Sequence, residues 1–83
     1  MSYVEEIAGL FRSRCNDAKI LHSMDYVIIA EWEKQEIPVA IVATAINRIC
    51  DELGDEALRI ESVGHFQETI KQNFRAWLQT QVR

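Results

Sequence analysis

The spacing of apolar residues constrains the fold of this chain more than any other feature. They recur at steps of three and four, which places apolar side chains on one face of an α-helix. Strand signals are absent: no alternating apolar run is bounded by turn residues, and neither Asn-Gly nor Asp-Gly occurs. The sequence therefore predicts an all-α protein, a compact bundle of four main helices whose short connections favour antiparallel neighbours.

The first helix is predicted to begin with a capping box, in which Ser2 and Glu5 satisfy free backbone amides. Asn16 and Asp17 are expected to end it. Its apolar stripe comprises Tyr3, Ile7, Leu10, Phe11 and Cys15.

Ser23 is predicted to cap the second helix, with Asp25 favoured in its first turn by the helix dipole. The predicted stripe comprises Met24, Val27, Ile28 and Trp32. This spacing favours a core position for Trp32, although tryptophan is also common at interfaces. Ile37 and Pro38 should end the helix, because a residue before proline avoids α geometry and proline suits the first turn of the next helix.

The third helix is the most hydrophobic and is expected to be central. Its predicted inner face comprises Val39, Val42, Ala45, Ile46, Ile49 and Leu53. Gly54 is placed as its C-terminal stop. Residues 55–61 fit either a single extra turn or a loop.

Ser62 is predicted to cap the last helix. One face of that helix carries Val63, Phe66, Ile70, Phe74, Trp77, Leu78 and Val82. A chain end seldom buries every large residue, so Trp77 is expected to be partly exposed or used at an interface.

Charge is uneven along the chain, which has a net charge of −4 and a pI near 5.0. Residues 25–61 hold nine acids and three cations, a net of −6, whereas the segment from His65 onward has a net of +2. A protein with this balance is not attracted to nucleic acid as a whole. Any such contact would have to be local.

Residue patterns that carry catalysis or bind metals are lacking. His22 and His65 have no second metal-type ligand one turn away, and the acidic run from Asp51 to Glu56 lacks the pattern of a calcium loop. No Gly-rich phosphate loop or nucleophile elbow occurs. We therefore expect no enzymatic activity, no catalytic residues, no metal and no cofactor.

The two cysteines, Cys15 and Cys50, lie on separate predicted helices without CxxC spacing. Buried reduced thiols are the predicted state. A disulfide is the minority alternative, since the chain begins with acids where a secretion signal would carry positive charge.

Length sets the domain count. With 83 residues, the chain should form one domain spanning 1–83, either as the whole protein or as the N-terminal domain of a longer one. No window approaches the 18 or so apolar residues of a membrane span, so we expect no membrane contact and a cytoplasmic location.

The stretch LHSMDYVIIAEWEKQEIPVAIVATAI is similar to a motif in small uncharacterised bacterial helical proteins. That motif runs Leu-Ser-x-x-Asp-Trp, then a helix ending in Trp, then Gly-Ile-Pro-Leu opening the next helix. The matching residues are Leu21, Asp25, Trp32, Ile37 and Pro38. Tyr26 replaces a tryptophan of the motif, and Glu36 replaces its glycine.

The wider layout, from Leu21 to Leu78, resembles the C-terminal domain of DnaD-like replication-initiation proteins. That family has a last helix with Tyr-x-x-x-Ile-x-x-x-Trp, to which Phe66, Ile70 and Phe74 correspond here. The resemblance implies a bacterial module that binds DNA or a replication protein through the last helix and the residues after it.

Residues of the last helix are consistent with this implication. Lys71 and Arg75 are four apart, so they are neighbours that flank the apolar stripe, and Trp77 could stack on a base. The predicted nucleic-acid-binding residues are therefore Lys71, Arg75, Trp77 and Arg83. Two alternatives stay open: the cations only keep the helix flank solvated, or the helix serves a protein partner or a homodimer without binding nucleic acid.

Overall fold

The computed structural model describes residues 2–15 and 21–81, and this part of the chain forms a bundle of four α-helices with no strand. The helices are α1 (Tyr3–Cys15), α2 (Ser23–Lys34), α3 (Val39–Leu53) and α4 (Gln67–Gln81). Two short 3-10 helices, Gly54–Arg59 and Val63–Phe66, connect α3 to α4. The predicted all-α bundle is confirmed, and residues 55–61 form mainly an extra helical turn.

The centre of the bundle is α3, as its hydrophobicity predicts, because it contacts α1, α4 and both 3-10 helices. Trp32, Phe66 and Ile70 are buried in the core, and Pro38 and Phe74 lie half-buried at its edge. The other large residues that are fully buried include Ile7, Phe11, Ile29, Ile37, Val42, Ile46 and Val63.

Most of the predicted helix ends are confirmed. The Ser2 hydroxyl accepts a hydrogen bond from the Glu5 amide at 3.1 Å and so caps α1. Gly54 adopts a φ of 58° and ends α3. The Ser62 hydroxyl, predicted to cap the last helix, accepts from the Gly64 amide at 3.1 Å and caps the second 3-10 helix instead, and α4 begins only at Gln67. Asn16 and Asp17 lie outside the described residues.

The prediction for α2 is wrong in two respects. Its cap is His22, because Ser23 is already helical. The predicted stripe is wrong for two of its four residues: the side chains of Met24 and Val27 are 63% and 58% exposed, whereas Trp32 is buried and Ile28 packs against the core. The buried residues of the helix are Asp25, Ile29 and Trp32. The helix is thus rotated so that a carboxylate, rather than two apolar residues, faces the interior.

Asp25 accounts for this rotation. One of its carboxylate oxygens accepts from the His22 amide at 3.1 Å. The other accepts from the Ser62 hydroxyl at 2.8 Å and from the Val63 amide at 3.1 Å. A buried carboxylate is tolerated only when such donors satisfy it. Asp25 therefore joins the start of α2 to the start of the segment that leads into α4.

The end of α2 fixes the path into α3. The Ile37 amide donates to the Trp32 carbonyl at 3.0 Å, and the Glu36 amide donates to the Glu33 carbonyl at 2.9 Å, the hydrogen-bond pattern of a Schellman motif. Glu36 occupies the left-handed position of this motif with a φ of 62°. The Tyr3 hydroxyl then donates to the Ile37 carbonyl at 2.7 Å, which ties the start of α1 to this turn.

Candidate functional site

Burial of α4 changes midway along the helix. Ile70 is fully buried and Phe74 half-buried, whereas every residue from Arg75 to Gln81 is exposed. A 15-residue helix is about 22 Å long, and residues 75–81 take up roughly half of it. We call these residues the exposed end of α4. The molecule itself measures 44 × 26 × 20 Å. The exposed end of α4 is therefore a surface that the described part of the chain does not cover.

An aromatic pair lies where α4 becomes exposed. The rings of Phe74 and Trp77 stack with centroids 6.0 Å apart and planes inclined by 17°. Residues three apart are neighbours on a helix surface, which brings the two rings together. The side chain of Trp77 is 38% exposed and that of Leu78 is 42% exposed. The predicted partial exposure of Trp77 is confirmed.

Two predicted cations lie beside this pair. Lys71 is half-buried and Arg75 is exposed, one helical turn apart on α4. The ion pair found among residues 2–15 and 21–81 joins Arg14 to Asp51, so neither Lys71 nor Arg75 is neutralised there. Arg83, the remaining predicted cation, lies outside the described residues.

A groove of about 440 Å³ runs between α3 and the exposed end of α4. It is lined by Pro38, Ala40, Ile41, Thr44, Arg48, Asn73, Ala76 and Trp77. Arg48 is the one charged residue of this lining, and it adds a cation on the Trp77 side of the helix. Sequence reasoning missed Arg48, because its proximity to α4 depends on the pairing of the two helices.

The densest acidic run begins beyond this groove. Asp51 follows Arg48 by one helical turn, and Glu52, Asp55 and Glu56 continue the run into the first 3-10 helix. All four are exposed, and Asp51 is paired with Arg14. The lining of the groove therefore combines apolar side chains with positive charge, although the chain as a whole is acidic.

A second depression, of about 510 Å³, lies between the two 3-10 helices. Its charged and titratable lining residues are Glu56, Arg59, Glu61 and His65. These carry both signs of charge and form no concentrated field. In the described part of the chain no three His, Cys, Asp or Glu residues are grouped to hold a metal ion.

Residue types found in catalytic triads occur close together at His22, Ser23 and Asp25. Their hydrogen bonds hold the fold together and do not form a triad. Both oxygens of Asp25 accept hydrogen bonds from groups at helix starts, including the His22 backbone amide. Asp25 thus fixes the backbone at the two helix starts. The sequence did not predict that its side chain is buried. The signal available was its position three residues after the cap of α2, where an acidic side chain can reach back to the cap amide.

The two cysteines are buried, as predicted, but they are also adjacent, which was not predicted. The Cys15 and Cys50 sulfurs lie 3.1 Å apart, one at the end of α1 and one near the end of α3. Burial, followed by the hydrogen bond with Cys50, raises the pKa of the Cys15 thiol to about 12. The Cys15 thiol is therefore protonated at neutral pH.

Fold and surface together define the class: an all-α four-helix domain whose last helix presents a solvent-exposed aromatic and cationic end. The described residues include no helix that is both long and apolar enough to cross a bilayer. Comparison with models of known families, with curated proteins and with solved structures yields no match.

Proposed function

We propose that this protein is a non-enzymatic binding module of bacterial DNA metabolism that contacts single-stranded nucleic acid through α4. The observation that carries the proposal is the partly exposed Phe74–Trp77 stack, accompanied by the cations Lys71 and Arg75, which form no ion pair within residues 2–15 and 21–81. The resemblance of the region from Leu21 to Leu78 to DnaD-like C-terminal domains supports the same assignment.

The physical basis is stacking combined with local phosphate neutralisation. An aromatic side chain that stacks on a base contributes about 1–3 kcal/mol, whatever the base. Lys71 and Arg75 lie on the same helix as Trp77, Arg48 lines the groove beside it, and each of these cations can neutralise one phosphate. Because the net charge of the chain is −4, the contact is expected to be short, weak and strongly dependent on salt.

Fluorescence anisotropy of labelled single-stranded and duplex DNA, at low and moderate salt, tests this proposal. The double variant Lys71→Glu/Arg75→Glu should lose binding and stay folded, because both residues lie on the surface of α4. The matched control is Arg12→Glu/Lys34→Glu, which changes the net charge equally on exposed positions of α1 and α2. The control should retain most of the binding.

Equal loss in both double variants would mean that overall charge, and not α4, governs the interaction. No binding at low salt would contradict the proposal outright. Tryptophan fluorescence supplies an independent readout, because Trp32 is buried and Trp77 is exposed. Stacking of a base on Trp77 should quench its emission, and Trp77→Phe should remove that change while leaving weaker binding.

A second candidate function is homodimerisation through the same surface. It is favoured by the exposed side chains of Trp77 and Leu78 together with the largely apolar groove beside α3. Two copies could bury these residues by packing their α4 ends against each other about a twofold axis. Sedimentation velocity over a wide concentration range should then show a dimer that Leu78→Gln dissociates. A monomer at every concentration would exclude this candidate.

A further inference from the structure

Cys15 and Cys50 form a thiol pair that the proposed function does not use. Their sulfurs lie 3.1 Å apart, and the two residues are 0% and 3% exposed. A disulfide bond requires about 2.05 Å, so an approach of about 1 Å would join them. The two residues are separated by 35 positions, and they lie on α1 and α3, which pack directly against each other.

Neighbouring contacts hold this alignment. Arg14, adjacent to Cys15, donates to the Asn47 carbonyl at 3.4 Å and forms an ion pair with Asp51. Asn47 and Asp51 lie on either side of Cys50 along α3. The end of α1 is therefore anchored by Arg14 against the turn of α3 that carries Cys50.

We propose that Cys15 and Cys50 are a redox modification site. A small-molecule disulfide such as oxidised glutathione oxidises the two thiols, by thiol–disulfide exchange, to a reversible intramolecular disulfide. One cysteine thiolate attacks a sulfur of the oxidant, forms a mixed disulfide and releases the first small thiol. The second cysteine thiolate then attacks the protein sulfur of that mixed disulfide and releases the second small thiol. The protein loses two electrons and two protons, and the oxidant is reduced to two thiols.

Burial sets the rate of the first step. The attacking species is the thiolate, and the raised pKa of the Cys15 thiol keeps its population small at neutral pH. Cys15 is the last residue of α1, and helix ends open more readily than helix centres. We therefore expect slow oxidation through local opening, followed by rapid closure, because the partner sulfur is adjacent in the folded state.

The product would join the end of α1 to α3 and close a loop of 35 positions. A cross-link of this kind restricts the unfolded chain and so raises the melting temperature. The modification thus changes the stability of the bundle. It acts independently of the surface on α4, because α1 does not contribute to the groove or to the exposed end of that helix.

The test incubates the folded protein with oxidised glutathione, blocks remaining thiols with an alkylating reagent and measures the intact mass. The expected product is a monomer that has lost two hydrogens, carries neither glutathione nor alkyl groups, and melts at a higher temperature. Excess reductant should restore both the mass and the original melting temperature. The single variants Cys15→Ser and Cys50→Ser should stop at the mixed disulfide or stay unreacted.

A failure to react could come from slow access of the oxidant to the buried thiols or from sulfur positions unsuited to a disulfide. Repeating the reaction in urea just below the unfolding transition separates these two causes. An intramolecular disulfide that forms there and raises the melting temperature supports the proposal. Absence of the product under both conditions would overturn it. So would a cross-link between two chains, or an intramolecular product that melts below the reduced protein. All of these outcomes are measured on the unmodified sequence, so they do not depend on the folding of a variant.

Discussion

At the scale of single residues, the side chain that most shapes this molecule is Asp25. Its carboxylate receives three hydrogen bonds, from groups at the start of α2 and at the start of the segment leading to α4. Hydrogen bonds to a charged group contribute about 1.5–3 kcal/mol each, and unsatisfied buried donors are costly. One residue therefore sets both the rotation of α2 and the position from which α4 departs.

We expect Asp25→Asn to lower the free energy of unfolding by about 2–4 kcal/mol. The amide nitrogen introduced in place of one oxygen cannot accept the hydrogen bonds that the carboxylate accepts. Urea denaturation followed by circular dichroism measures the change. Ser62→Ala is the graded control, because it removes one of the three donors and should cost about 1 kcal/mol. An Asp25→Asn variant with an unchanged free energy of unfolding would contradict the role assigned to Asp25.

Glu36 has a backbone conformation that costs free energy. It holds a φ of 62° at the position where the Schellman motif favours glycine. A side chain with a Cβ is disfavoured there by about 1–2 kcal/mol. The hydrogen bonds around it, together with burial of the following Ile37, hold the conformation in place.

Glu36→Gly is expected to raise the free energy of unfolding by about 0.5–1 kcal/mol, because relief of strain exceeds the extra entropy of glycine in the unfolded chain. Glu36→Ala serves as the matched control, since alanine removes the charge but retains the Cβ. Thermal melts of the two variants should differ, with only the glycine variant above the original protein. Equal melting of both would assign the effect to charge.

At the scale of elements, α4 carries one sequence pattern over a buried half and an exposed half. Its apolar residues continue at the same spacing from Ile70 to Leu78, yet only the first half is buried in the bundle. The pattern alone predicts one continuous inner face. The structure divides it, because the second half extends past the elements that cover the first.

This division predicts opposite outcomes for the same substitution on one helix. Ile70→Asp should unfold the domain, because a buried carboxylate without partners is very costly. Leu78→Asp should leave the fold intact, since its side chain is already 42% exposed. Circular dichroism and one-dimensional NMR dispersion distinguish the two. Unfolding of both variants would mean that the exposed end of α4 is buried in solution, for example in a dimer.

At the scale of the whole molecule, α1 is held at both ends by groups that must stay protonated. The Tyr3 hydroxyl donates to the Ile37 carbonyl, and the Cys15 thiol is buried against Cys50. Burial, with a smaller contribution from Glu33, raises the pKa of Tyr3 from 10.0 to about 12. The pKa of Cys15 is raised from 9.0 to about 12.

Alkaline pH is therefore expected to destabilise the bundle. Both groups hold their protons more tightly in the folded state, so the unfolded chain loses protons first as pH rises. The free energy of unfolding should be unaffected by these groups below about pH 9 and should fall between about pH 9 and pH 12. Tyr3→Phe should cost about 1 kcal/mol at neutral pH and reduce the slope above pH 10. An unchanged slope would exclude Tyr3 as a contributor.

The sequence by itself determined the elements of this protein and the chemistry available to its surface. Apolar residues at helical spacing, with Ser2, Pro38, Gly54 and Ser62 at helix ends, specify the helices, because these signals act between residues a few positions apart. The local charges of Lys71 and Arg75, and the large side chain of Trp77 near the chain end, likewise followed from the sequence. The role proposed for them remains a prediction.

Only the tertiary structure decided how the helices face one another. Burial of Asp25 at the expense of Met24 depends on donors that lie 37 and 38 positions away, at Ser62 and Val63. The contact of Cys15 with Cys50 and the place of Arg48 beside α4 likewise depend on which helices become neighbours. Such choices minimise unsatisfied polar groups and empty space over the whole bundle, and no local pattern contains that information.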